Sequence, residues 1–384
     1  MTIDPTPCMI DRILNHLRVL VSADSSDPVK MMTPDHLAIT HAAESLAAAG
    51  CSVSITDLGD GCVNLLAKRG LPRVLFNCHL DTVKASSDWS TDPLKLRIKN
   101  DLAYGLGACD IKGAAACLLA VAETTDVPIA ILLTTDEEAG KGACVNEFLK
   151  TQDHEWSCVV VSEPTCSKGV LGHRGFASFE IRFEGTSAHT SQSNATDESA
   201  IHRAMRWSNV ALDLALPGAL LDGSRFNIGY VTGGSASNVV ASQAVMRFGF
   251  RPEPVAGADQ MTQSRIEALK DASEKIGSSV WSDRFIAPPL ITDERAARAA
   301  ETWDIEIGEP VDFWTEAALF SAAGLPTLVL GPGSIAQAHS TDEYVEIAQL
   351  EQCARAYEAI VHNEAQSPLS DAQKQTGVCT CTAK

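Results

Sequence analysis

Three uninterrupted apolar runs constrain this chain most: RVLFNC (residues 73–78), PIAILLTT (128–135) and CVVV (158–161). Each has the length of a strand, and segments of helical character separate them. A strand that is apolar on both faces must be covered on both faces. The runs therefore specify an α/β layer fold, with a central sheet flanked by helices. Helices fit residues 9–20 and 35–49, the second closed by Gly50, and a third (IKGAAACLLAVAE) starts just after Asp110. SVSITDL and CVNLLAK add two more strands.

A second pattern begins near residue 174. FASFEIRFEG alternates apolar and polar residues, as a half-buried strand does. A helix over 197–214 follows, then strands RFNIGYV and SQAVMRFGFRP, a helix over 259–275 and a strand over 279–286. The order β-α-β-β-α-β predicts a ferredoxin-like α+β unit inserted into the larger one. The α/β pattern resumes with TLVLGPG and a closing helix over 348–363. The expected division is 1–173 and 287–365 for the larger domain and 174–286 for the insert. Residues 366–384 read as a polar, disordered tail.

A length of 384 residues suits two domains, and 45% apolar residues suffice to bury a substantial core. A formal net charge of -19 argues against a nucleic-acid partner. No apolar run reaches membrane-spanning length, and the first twenty residues lack the pattern of a secretory signal. Twelve cysteines are present, several inside apolar runs such as Cys62, Cys78, Cys117 and Cys158, with no CxxC pair. Buried, reduced thiols in a cytoplasmic protein are expected. Cys379 and Cys381 form a CxC, which is weak evidence for a metal site.

Polar residues cluster just after the apolar strands, where open α/β sheets bind their ligands. His79 and Asp81 follow the first run, Asp136, Glu137 and Glu138 the second, and Glu163 the third; His339 comes soon after TLVLGPG. Asp110 opens a helix after the turn GLGACD, which lacks the third glycine of a dinucleotide loop. Singly, each has an ordinary structural explanation: a helix cap for Asp110, solvated surface for the glutamates. Together, imidazoles and carboxylates without thiolate suit zinc, cobalt or manganese in a hydrolytic site. Adjacent Glu137 and Glu138 can divide the work of ligand and general base, since neighbouring side chains in extended chain point apart. Asp81 is spaced to back His79.

Five ordered segments carry a resemblance: HLDTV, GLGACDIKG, TTDEEAG, SEP and AHSTDEYV. In this order they resemble the signature of the M20 metallopeptidase family, whose members include deacetylases, desuccinylases, aminoacylase and carboxypeptidases. The resemblance runs from about residue 10 to 363. It implies a zinc-hydrolase-type mixed sheet with an inserted ferredoxin-like lid and dimerisation domain, and hence a homodimer. It implies two divalent ions, zinc with cobalt possible. Asp110 would bridge them, His79 and Glu163 holding one ion, Glu138 and His339 the other. Glu137 would be the general base, with Asp81 behind His79. The peptide after Asp110 is cis in relatives. GTSAHTSQ resembles the lid motif whose histidine, here His189, reaches the partner's active site and stabilises the oxyanion. Asn238 and Arg251 match lid positions that grip the substrate.

VDFWTEAALF resembles the TEA segment of acetylornithine deacetylases, and VDFWTEA…LVLGPGSIAQAH also resembles acetylcitrulline deacetylases. The implied reaction is hydrolysis of an N-acyl amino acid, N2-acetyl-L-ornithine first, giving acetate and ornithine in arginine biosynthesis. Glu316 is the candidate partner for the ornithine ammonium. Acetylcitrulline, desuccinylase or dipeptidase activity, and a non-catalytic amino-acid-binding relative are the alternatives. The intact base and ligand set argue against the last.

Overall fold

The structure, a computed structural model, describes residues 7–26, 32–140, 142–152, 154–193 and 195–366. The expected tail and the CxC fall outside the described residues, apart from Gln366, which is helical.

The three apolar runs become β3 (Val74–His79), β6 (Ile129–Thr134) and β7 (Cys158–Val161). With β1 (Ser52–Asp57), β2 (Val63–Arg69) and β12 (Thr327–Val329) they form a six-stranded sheet of order β1-β2-β6-β3-β7-β12. β3 runs parallel to β6 and β7, and β12 parallel to β7. β2 pairs antiparallel with β1 and β6, so the sheet is mixed.

Alternate residues of the same strands feed two cores. Val74, Phe76, Cys78, Ile131 and Val160 join a cluster with α1 (Met9–Ser22), α2 (Leu37–Ala48), α3 (Lys112–Thr124) and α9 (Ile347–Gln366). Leu75, Leu132 and Val161 join Val145, Phe148 and Phe320 of α4 (Ala143–Thr151) and α8 (Ala317–Ala322) on the other face. Each large side chain so buried contributes about 1.5–3 kcal/mol. This two-sided burial is the physical reason the strands are apolar throughout.

Between β7 and β12 the chain builds a second sheet. Its elements are β8 (Phe176–Glu184), α5 (Ala200–Leu214), β9 (Asn227–Gly233), β10 (Gln243–Phe250), α6 (Ala258–Ile276) and β11 (Ser279–Ala287). The order β11-β8-β10-β9, all antiparallel, is ferredoxin-like. Phe179, Ile181, Phe183 and Phe248 pack on Trp207 and Leu269 of the two helices. The opposite sheet face is left open. β11 carries a bulge between Asp283 and Phe285.

A small sheet absent from the sequence reading pairs β13 (Tyr344–Glu346) with β5 (Leu102–Tyr104), and β5 with β4 (Arg97–Lys99). It brings the segment after His339 against the turn before Asp110. α7 (Glu294–Thr302) also goes beyond the sequence reading. No helix among the described residues is long and apolar enough to cross a membrane.

Candidate metal centre

Each clustered polar residue sits where a strand of the first sheet ends. His79 is the last residue of β3, Glu137 and Glu138 follow β6, Glu163 follows β7, and His339 lies in the turn after β12. Asp110 ends the turn that leads into α3, and its peptide bond to Ile111 is cis. That turn depends on Gly107, whose φ of 78° is left-handed. A Cβ there would lie 2.7 Å from Thr82 Cγ2 and 2.9 Å from Lys112 Cδ.

Two groups with metal-ligating capacity result, His79–Asp110–Glu163 and Asp110–Glu138–His339, the ligand atoms of each lying within 4.8 Å of one another. Asp110 is common to both. Its Oδ1 is 3.2 Å from His79 Nε2 and its Oδ2 is 3.4 Å from His339 Nε2. His339 Nε2 is also 2.9 Å from Glu138 Oε1, and His79 Nε2 is 3.9 Å from Glu163 Oε1. One carboxylate thus turns one oxygen toward each group.

The electrostatics fit divalent cations. Burial, with mutual repulsion among the carboxylates, pushes Glu137, Glu138 and Glu163 above the usual carboxylate range. Asp110 is also buried, but hydrogen bonds from His339 and His79 outweigh burial and hold its carboxyl low. His339 is pushed up to about 10 by its bonds to Asp110 and Glu138. Four carboxylates crowded into one cleft carry charge that two divalent ions would offset. The oxygen and imidazole donor set suits zinc or another ion of similar hardness. The thiol of neighbouring Cys109 donates instead to the Ser334 carbonyl at 3.3 Å.

Asp81 is fully buried behind His79. His79 Nδ1 lies 2.9 Å from the Asp81 carbonyl oxygen and 3.5 Å from its Oδ1, so the backbone is the nearer partner. Asp81 Oδ2 accepts the Glu138 N–H at 3.0 Å, tying one ligand's support to the other group.

A cleft of about 420 Å³ opens over these groups. Glu137, Glu138, Asp110, Glu163 and His339 line one side. Arg284, Phe176 and Phe285 of the second sheet and Arg251 just after β10 line the other, with Phe313 and Trp314. Arg251 stacks over the Phe176 ring at 4.9 Å.

Three expected site residues are not brought to this cleft. Glu316 is 1% exposed, its Oε2 accepting from Thr134 Oγ1 at 2.9 Å. Burial and repulsion from Asp136 raise its carboxyl to about 8. It stands at the start of α8, where its side chain makes no capping bond, and it does not line the cleft in which a substrate ammonium is expected. His189 and Asn238 are exposed together in the second unit, where Thr190 N donates to the Asn238 carbonyl at 3.2 Å. Within one chain they stand apart from the metal groups.

Glu343 was not singled out in the sequence, though it lies in AHSTDEYV. Its Oε1 accepts from the backbone N–H of Cys109 (2.8 Å) and Asp110 (2.9 Å), and its Oε2 from Gly107 (2.9 Å). The buried ammonium of Lys112 donates to the Ala23 carbonyl at 2.9 Å and braces the same turn. Its one mark in the sequence is its place in the segment AHSTDEYV, four residues after His339.

Residues 75–363 match the model of Peptidase family M20/M25/M40. The chain is 42% identical over 363 residues to the N-acetyl-L-citrulline deacetylase of Xanthomonas campestris pv. campestris, covering 91% of this chain and 97% of that protein. It is 31% identical over 322 residues to the acetylornithine deacetylase of Aliivibrio salmonicida, covering 77% and 83%. The crystal structure of aminopeptidase PepT from Bacillus cereus superposes with a TM-score of 0.74 at 20% identity, over 94% of this chain and 100% of that one, a likeness of fold. The chain belongs to peptidase family M20/M25/M40.

Proposed function

We propose that the protein is a two-metal amidohydrolase that removes the acetyl group from an N-acetyl amino acid. The observation that carries the reading is Asp110, one carboxylate shared by two ligand groups in a cleft that also holds Glu137. Zinc is the ion we favour, with cobalt as a substitute; bound there, divalent ions supply Lewis acidity toward the amide carbonyl and the attacking water. His79, Asp110 and Glu163 would hold one ion, and Asp110, Glu138 and His339 the other. Glu137 takes the proton from the attacking water and returns it to the departing amine nitrogen. Asp81 holds the His79 ring in position. Arg251, held over the Phe176 ring, is suited to a substrate carboxylate through paired N–H donors. His189 and Asn238 would complete the site of a partner subunit in a cytoplasmic homodimer, with His189 donating to the developing oxyanion.

Two substrates stand, N-acetylcitrulline and N2-acetylornithine. The cleft lining favours the first. Apart from the metal groups and Glu137, its lining among the described residues presents no carboxylate, while Arg284 adds a second cation beside Arg251. A neutral ureido group tolerates that wall, whereas the ornithine ammonium meets like charge without a counter-ion. The similarity to the Xanthomonas deacetylase points the same way.

The test is acetate release from both substrates by zinc-loaded protein, beside release of amino acids from dipeptides. Acetate from N-acetylcitrulline, with a higher kcat/KM than from N2-acetylornithine, is expected. Dipeptide cleavage without acetate release would replace the deacetylase reading with a peptidase.

A further inference from the structure

The chain carries a net charge of -19, yet the open face of the second sheet is rich in arginine. Alternation along β8 and β10 turns Arg182 and Arg247 away from the packed helices, and both are exposed. Arg225 and Arg247 border a second concavity of about 290 Å³, which shares Phe176, Ser178 and Arg251 with the metal cleft. Its floor includes Gly249, where a Cβ would lie 2.6 Å from the Ala177 carbonyl oxygen, so backbone contact keeps the hollow open. Arg284 at the β11 bulge joins this surface to the cleft.

Two carboxylates offset these charges in part. Glu180 pairs with Arg247 at 2.9 Å and Arg284 at 3.6 Å, and Asp312 pairs with Arg225 at 2.8 Å. Glu184, at the far end of β8, accepts from Ser278. Five guanidiniums against the two paired carboxylates leave this face positive on an otherwise acidic molecule. A surface with an excess of one sign leading into a cleft concentrates ions of opposite sign and raises their rate of entry.

We propose that this arginine-bearing face is an anion-collecting surface on the substrate's route, and that it makes the enzyme favour N-acyl amino acids of net negative charge over net-neutral ones. The inference rests on the deacetylase reading and adds a selection by overall charge. N-acetylcitrulline is a monoanion near neutral pH. N2-acetylornithine carries one charge of each sign, so a long-range field acts on it only through its dipole.

The experiment measures kcat/KM of the zinc-loaded enzyme for both substrates at ionic strengths of ~0.01 M and ~0.15 M, where screening lengths are about 30 and 8 Å. For N-acetylcitrulline the wild-type value should fall roughly tenfold as salt rises, the low end of electrostatic steering, and the N2-acetylornithine value should change much less. Arg182→Gln combined with Arg247→Gln should remove most of the N-acetylcitrulline salt dependence. Arg182→Glu, a single reversal at an exposed position, should lower the low-salt value and serves if the double variant folds poorly. Hydrolysis of both substrates with equal salt slopes, or slopes unchanged in the folded variants, overturns the proposal. Absence of acetate from both substrates overturns the deacetylase reading itself, and this proposal with it.

Discussion

The backbone N–H of Asp110 donates to Oε1 of Glu343 at 2.9 Å, so the carboxylate shared by both ligand groups is aimed by a second carboxylate that belongs to neither. The same side chain accepts from Cys109 and Gly107, closing the turn around one buried acceptor. Glu343→Ala strands three N–H groups, each costing about 1–3 kcal/mol when buried and unpaired. Thermal unfolding should show the loss of stability, and zinc titration should show both sites weakened together. Glu343→Gln, which keeps one of the two oxygens, should fall between. Wild-type zinc affinity in folded Glu343→Ala would show that Asp110 holds its aim without it.

Glu137→Gln should retain the fold and both ions but lower kcat by about 10²–10⁴-fold, the usual contribution of a positioned general base. Elemental analysis beside kinetics separates this from a ligand role. Loss of an ion in the variant would make Glu137 a ligand and move the base elsewhere.

Glu316 provides a pH test. Its carboxyl is raised to about 8 by burial, against about 4.5 when free. Between these values the unfolded chain has already released the proton that the folded chain retains, so stability falls as pH rises through the window. Above about 8 both states are ionised and the penalty is constant. Glu316→Gln mimics the protonated form and does not titrate. Its stability advantage over wild type, measured by denaturant unfolding of metal-free protein, should be small near pH 5 and largest above pH 8. The variant should also keep the wild-type ratio of kcat/KM for the two acetylated substrates. A flat difference with pH would refute the buried-acid account, and a changed ratio would return Glu316 to substrate contact.

Much of the site was legible because His79, Glu137, Glu138 and Glu163 each follow a strand apolar on both faces, which fixes them at one rim. Asp110 was marked by the glycines around it. Less legible were the residues whose work is done through the backbone or across an irregularity. Glu343 accepts three N–H groups of a turn more than two hundred residues earlier, a pairing no local period reveals. Arg284 lies at a bulge, where alternation ceases to say which face a side chain takes. Glu316 sits among polar and aromatic residues that suggest a pocket, yet Thr134 at the end of β6 holds it beneath one. Helices α1, α2, α3 and α9 were readable from period and caps, whereas α4 and α7 were not, and the three-residue strands β4, β5 and β13 are too short to carry a periodic signal.

His189 and Asn238 stand together on the second unit, away from the groups they are expected to assist. If they act on a partner's cleft, His189→Ala should lower kcat while sparing metal content. Mixing it with Glu137→Gln protein should then restore activity, since some heterodimer sites combine an intact histidine with an intact base. No recovery after verified subunit exchange would contradict the trans arrangement.

The most direct test of the central claim is a zinc titration of metal-free protein, with Asp110→Asn and His339→Ala beside the wild type. One carboxylate common to two ligand groups requires that wild type take up two ions per chain, that His339→Ala lose tight binding of one, and that Asp110→Asn weaken both. A wild type that saturates at one ion, or an Asp110→Asn variant that keeps either site at full affinity, would contradict it.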